Sequence, residues 1–233
     1  MKRLLLIALV LLMAVPVVDA RRRKPRAGEV EDKVYRDATY DFSLRIEDNW
    51  NFSRGYEEDA FRLILTQKNW ETPPYYLDNP DYTKVPRISV YADTTSMGVF
   101  AFIDSLVSPK YESEQKDEIL REFEIFQRDP DWEPIVPIGR KVLEIDGQRA
   151  VLWTGKVQYK QDVALSASGA GSKRIRENYF GSILGVKKGN TIVALHVMGE
   201  WVYYDRIQAE FLKMAQSLDF TTDEEEKDET KEG

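Results

Sequence analysis

The chain has no cysteine and a single histidine in 233 residues. The first absence removes disulfides, thiolate zinc sites and thiol nucleophiles together, so a folded domain here must be held by its core. The second leaves one imidazole, His196, for any general-base or metal role. A lone histidine without cysteine leaves only carboxylates to complete a metal shell, so no metal and no cofactor is expected. Positive charge is also not in excess. The formal net charge is −7, which opposes general nucleic-acid binding, because that needs a basic face to neutralise phosphates.

Long apolar runs are missing as well. The longest, Leu4 to Val15, falls short of the roughly 18 or more residues of a membrane-spanning helix. It is preceded by Lys2 and Arg3 and followed by the small-residue site Val18-Asp19-Ala20. These are the three parts of a secretory signal, so residues 1–20 are expected to direct export to the periplasm, cell envelope or extracellular space. No transmembrane span is then expected after cleavage. With no cysteine at the cleavage site, lipid attachment there is excluded. Arg21, Arg22, Arg23, Lys24 and Arg26 follow directly. Dense positive charge resists translocation, which leaves an uncleaved anchor open as the alternative.

The two ends frame one domain. Residues 21–33 read as a basic, polar linker, and 34–220 as enough chain for a single domain with a sizeable core. Residues 221–233, "TTDEEEKDETKEG", hold no apolar residue and are expected to be a disordered acidic tail. A weak calcium-binding or partner-binding role is the alternative for that tail.

Within the domain, Tyr40, Phe42, Leu44 and Ile46 alternate with polar residues, the pattern of a half-buried strand. Glu47-Asp48-Asn49 supplies turn chemistry, with Trp50 expected to pack under the turn. Further strands are expected over Ala60–Gln67 and Arg87–Ala92. A helix carrying Val99, Ile103 and Leu106 is expected to be capped by Thr95 or Ser96 and to end at Ser108-Pro109. A second, with Ile119, Phe123 and Phe126, is expected to run to Asp129-Pro130. Asp146-Gly147 between two strand-like runs suits a two-residue type I′ hairpin. A second hairpin turns at Lys187–Asn190 into the nearly continuous apolar run Ile192–Met198, a strand expected to be buried on both faces. The last helix places Ile207, Phe211, Met214 and Leu218 on one stripe, with Asp205 and Gln208 reading as a capping box. The fold class is therefore α+β: a mostly antiparallel sheet flanked by helices on both faces.

This order of elements resembles the PsbP-like superfamily. The residues that carry the likeness are "FSLRIEDNW" near the start, the hairpins of the second half, and the closing Ser217-Leu218-Asp219-Phe220. The likeness spans most of Tyr35–Phe220. It implies an α/β/α sandwich used for binding and not for chemistry, and it carries over no functional residue, because the matching positions are packing positions.

Candidate chemistry is sparse. His196 lies inside "IVALHVM" and lacks a sequence context for a nucleophile and an orienting acid. It reads as a core histidine. "GSILG" is no nucleophile elbow, since its serine is misplaced. "SASGAGSKRIR" (Ser166–Arg176) matches neither phosphate-binding glycine pattern and reads as a loop between strands. Asp78, Asn79 and Asp81 lack the ligand spacing of a calcium loop and read as a turn. One segment stands out, Asn69–Pro86, with Trp70, Tyr75, Tyr76 and Tyr82 on a frame stiffened by Pro73, Pro74 and Pro80. Rigid aromatics give contact area at little entropy cost, so these four are the candidate binding residues, against the alternative that their rings fold back over the sheet edge. The functional expectation is an exported, non-catalytic accessory protein that binds an envelope protein. A small-ligand carrier for sugar or lipid is the alternative, with a hydrolase using His196 behind it.

Overall fold

The computed structural model describes residues 24–70, 85–108, 110–126, 134–164 and 172–220. Side chains are described throughout these stretches except at 159–164 and 172–177. Among the described residues, ten strands form two sheets. A three-stranded sheet is built from β1 (Glu29–Glu31), β2 (Val34–Asp37) and β3 (Phe42–Arg45). A seven-stranded sheet follows the order β4 (Trp50–Arg54), β5 (Phe61–Gln67), β6 (Arg87–Thr94), β10 (Thr191–Glu200), β9 (Ser172–Lys188), β8 (Gln148–Ala164), β7 (Val136–Ile145). Every pairing is antiparallel. The helices are α1 (Val99–Val107), α2 (Glu114–Glu122) and α3 (Trp201–Ala215), with a 3₁₀ turn at Glu124–Phe126. The class is α+β, as the sequence patterning implied.

Strand β10 shows how the core divides. Val193, Leu195 and Val197 pack in one cluster with Ile207, Phe211 and Met214 of α3. The intervening Ile192 and Ala194, with Met198, pack in another with Phe102 and Ile103 of α1 and Ile119 of α2. Successive strand residues point to opposite faces, and this run is buried throughout as its alternate side chains divide between the two clusters. Gly181 and Gly185 permit close approach on β9. A Cβ at 181 would meet Ile125 Cδ1 at 2.6 Å, and one at 185 would meet Ile103 Cδ1 at 2.9 Å.

Several expectations are corrected. The alternating stretch 40–46 does form a strand, but as β3 of the small sheet; the turn after it is closed by the Trp50 amide on the Glu47 carbonyl at 3.1 Å, and Trp50, which opens β4, is 2% exposed. The segment expected as a linker, 21–33, contains β1, and Ala27 is fully buried. Neither Thr95 nor Ser96 caps α1; Gly98 precedes it with no side-chain bond to the helix. Helix α2 stops at Glu122 and a 3₁₀ turn carries Phe126, because Phe123 adopts extended backbone so that both rings reach the sheet. Asp205 and Gln208 cap nothing: β10 runs straight into α3, Glu200 is the N-cap, and both residues lie inside the helix. The stretch read as a loop through Arg176 is strand from Ser172 onward. The Asp146-Gly147 turn stands, with φ of 49° and 64° at its two residues, as a type I′ turn requires.

The residues that carried the family resemblance meet in space. Ser43 and Asp219 exchange backbone hydrogen bonds at 2.7 and 3.1 Å. Ser217 Oγ accepts from the Arg45 amide at 3.0 Å. Phe220 packs on Phe42 with ring centroids 6.5 Å apart. The exit of α3 is thus pinned to the opening strand.

Candidate functional site

The aromatic segment proposed from sequence contributes one described residue. Trp70 is partly buried against the core cluster that holds α3. It meets the Tyr203 ring edge-to-face at 5.2 Å, and Arg206 lies 5.5 Å over its indole. This ring folds back onto α3. Tyr75, Tyr76 and Tyr82 lie outside the described residues, as do Asp78, Asn79 and Asp81 and the glycines of 169–171.

His196 is fully buried. Its ring stacks on Phe123 at 4.8 Å and 16°, and its Nε2 accepts the Ile125 amide at 3.4 Å. That bond pins the 3₁₀ turn to β10 and commits Nε2 as an acceptor, which fits a packing histidine. Among the described residues, no three carboxylate or imidazole groups converge to hold a metal ion.

The concave feature that does carry function-like chemistry lies on the side of the sheet that bears α3. Ala150 and Leu152 of β8 are buried, and helix α3, packed on β10 and β9, faces the exposed stretch Val136–Val142 of β7. Between them runs an open groove of about 580 Å³. Its floor is Leu152 and Thr154 of β8 and Phe180 of β9; one wall is β7 from Ile138 to Lys141, the other α3. Three large apolar side chains on its walls face solvent: Ile138 is 55% exposed, Trp201 58% and Val202 57%.

At the base, polar groups converge and satisfy one another. Ser182 Oγ lies 2.5 Å from Tyr204 OH and 3.0 Å from Thr154 Oγ1. Gln208 Nε2 donates to both Ser182 Oγ and Tyr204 OH at 3.0 Å. Phe180 lies against the Tyr204 ring at 5.3 Å. Burial raises the Tyr204 pKa above its ordinary 10.0, outweighing the hydrogen bonds from Ser182, Thr154 and Gln208 that favour the phenolate. Tyr35, Tyr40 and Tyr91 are also pushed up, in each case first by burial. Raised phenol pKa values in the folded state mean that unfolded tyrosines ionise first. Stability is therefore expected to hold up to the ordinary phenol value and to fall as pH rises from there through the folded values. Urea melts across alkaline pH would check this, with Tyr204→Phe shallower in its decline than the parent.

Sequence reasoning missed this groove, although one signal pointed to it. Ile207, Phe211 and Met214 define the buried stripe of α3, and Trp201 falls off that stripe with Asp205 and Gln208 at i+4 and i+7. A tryptophan off the core stripe is a surface feature in need of a reason.

No family model matches this sequence, and no curated protein matches it. Solved structures do match. A cyanobacterial PsbP (CyanoP) from Synechocystis sp. PCC 6803 is similar at 11% identity and TM-score 0.44, covering 82% of this chain and 95% of that one. LpqN of Mycobacterium tuberculosis, described as involved in cell envelope biogenesis, is similar at 9% and 0.42, covering 76% and 82%. The Ran-binding protein Mog1p of Saccharomyces cerevisiae is similar at 6% and 0.41, covering 82% and 95%. Each likeness runs over most of this chain, and none carries a role across to it.

Proposed function

We propose that this chain is an exported, non-catalytic binding protein of the cell envelope that holds another protein on the surface between β7 and α3. In this reading the domain is a three-layer sandwich in which α1 and α2 back one face of the sheet and α3 leaves part of the other open. The observation that carries it is the set Ile138, Trp201 and Val202, more than half exposed around one groove. Apolar side chains clustered on a concave surface mark an interaction site, and a tryptophan flanking a groove is the residue type most enriched among interface hot spots. The polar groups at the base already spend their hydrogen bonds on each other, which suits recognition and not proton transfer. Export rests on the pattern of residues 1–20. Among the described residues no helix is long and apolar enough to cross a membrane.

A photo-crosslinking residue at position 201, compared with one at the distant exposed Tyr56, tests the reading in intact cells. One recurrent partner is expected at 201 and not at 56. The purified partner should then lose about 30-fold or more in affinity to Trp201→Ala, the hot-spot scale for a buried tryptophan, while the melting temperature stays unchanged. Equal labelling at both positions, or an affinity indifferent to Trp201, would sink the proposal. A groove of about 580 Å³ also falls in the size range of small-molecule sites. Recovery of a bound small molecule by native mass spectrometry, with no protein partner at 201, would favour the carrier reading over the protein-binding one.

A further inference from the structure

Among the described residues, strand β7 is the outermost strand of the seven-stranded sheet, paired to β8 on one side. Eight of its ten residues are exposed and one, Ile145, is buried. Such an edge presents a row of backbone donors and acceptors to solvent and is a template for another strand. Its first part is guarded: Pro137 lacks an N–H, and the register slips between Pro137 and Gly139. From Gly139 to Ile145 the pairing is regular. That gives seven residues, about 23 Å at ~3.3 Å each, longer than a typical whole strand.

We infer that this edge pairs with its own copy, making a two-fold dimer whose sheet runs continuously through both chains. The side-chain pattern selects a second copy and a single register. Opposed residues in paired strands point to the same face, so a two-fold axis perpendicular to the sheet must set one residue against itself. Arg140 and Val142 share the α1 side: Arg140 Nη1 donates to Asp104 of α1 at 2.6 Å, and Val142 stands opposite Val151 of the α1 cluster. Lys141 and Leu143 share the α3 side, opposite Leu152 and Ala150.

Centring the pair on Arg140 sets arginine against arginine, and centring it on Lys141 sets lysine against lysine. Centring on Leu143 leaves Val142 against Glu144 and Lys141 against Ile145. Centring on Val142 sets valine on valine, Lys141 along Leu143, and Arg140 against Glu144 twice. Opposite charges directly across a ladder are favourable and like charges are not. Arg140 has donors to spare for a second carboxylate beside Asp104. Val142 is 55% exposed, so it gains burial in the pair. The axis keeps both α3 sides on one face, so the two grooves lie side by side across the seam. This dimer does not depend on what the groove binds, and either proposal can fail alone.

The chain's lack of cysteine makes the test clean. Val142→Cys places a thiol opposite itself, and oxidation of the full chain should give a covalent dimer. Arg140→Cys alone and Glu144→Cys alone should not, whereas the two mixed should. In sedimentation across a concentration series, the parent should move from one to two chain masses. Glu144→Arg should weaken the dimer by at least about tenfold through like-charge contact, and Arg140→Glu with Glu144→Arg should restore it. A parent that stays monomeric throughout overturns the inference. So does a dimer unmoved by Glu144→Arg, or one that cross-links through 140 or 144 alone and not through 142.

Discussion

Alanine at position 37 is expected to destabilise the fold by about 3–5 kcal/mol, the cost of leaving one member of a buried ion pair without its partner. Asp37 is 2% exposed and Arg62 fully buried. Arg62 Nε donates to Asp37 Oδ2 at 2.7 Å, and Nη2 to Oδ1 at 3.3 Å. The second carboxylate face takes the Thr39 amide at 3.0 Å, and Tyr35 donates its hydroxyl to Oδ2 at 2.5 Å. Arg62 Nη1 donates to the carbonyls of Glu57 and Asp59 at 2.9 and 2.5 Å, while the Tyr40 ring lies 5.0 Å away. Burial works to lower the Arg62 pKa, but the hydrogen bond and charge of Asp37 outweigh it, so the guanidinium stays charged. The pair joins β2 of the small sheet to β5 of the large one. Without the carboxylate, the cation remains in the core with no counter-charge. A fall in melting temperature on the order of 10 °C should follow for a domain of this size. Replacing both partners together, Asp37→Leu with Arg62→Met, should recover most of the loss, because no charge is then left buried. A single-variant loss below about 1 kcal/mol in urea melts would refute this account, since that is the scale of a surface pair.

Two tryptophans should answer the same substitution in opposite ways. Trp50→Ala is expected to cost about 3–5 kcal/mol, the range for truncating a large buried aromatic. Its ring is 2% exposed within the cluster of α3, and its Nε1 donates to Glu210 Oε2 at 3.0 Å. Asn49 Nδ2 donates to the same oxygen at 2.7 Å, so β4 is tied to α3 at that point. Trp201→Ala is expected to change stability by no more than about 0.5 kcal/mol, as at an exposed site free of special contacts. Denaturant melts of the two variants side by side decide it. Comparable losses would mean that Trp201 serves the core, and the groove would then lose its best anchor.

The local signals that proved legible were those set by near neighbours in the chain. Asp146-Gly147 specified its own turn, because positive φ at both positions is a local demand. Ile207, Phe211 and Met214 marked the buried face of α3 through period alone, and the unbroken apolar run of β10 announced burial on both faces. Signals that depend on a partner elsewhere misled. Asp205 and Gln208 have the spacing of a capping box, but the chain enters α3 directly from β10 and uses Gln208 to hold Ser182 and Tyr204 instead. Tyr40–Ile46 alternates correctly, yet nothing local says that its strand joins a second sheet and bonds to Asp219 near the far end of the domain. Trp70 lies against Tyr203 and Arg206 of α3, a placement that nothing in its own segment announces.

By itself the sequence determined the class: strands and helices in their order, a core without disulfides, and chemistry too sparse in histidine and cysteine for the common nucleophilic sites. Those follow from composition and from short-range periodicity, which act along the chain. Only the tertiary structure decided where a surface is left open. Helix α3 is shorter than the sheet is wide, so it packs on β10 and β9 and leaves Val136–Val142 of β7 exposed. Whether a tryptophan is core or contact, and which strand is the edge, depends on that coverage, which residues far apart in the chain settle together.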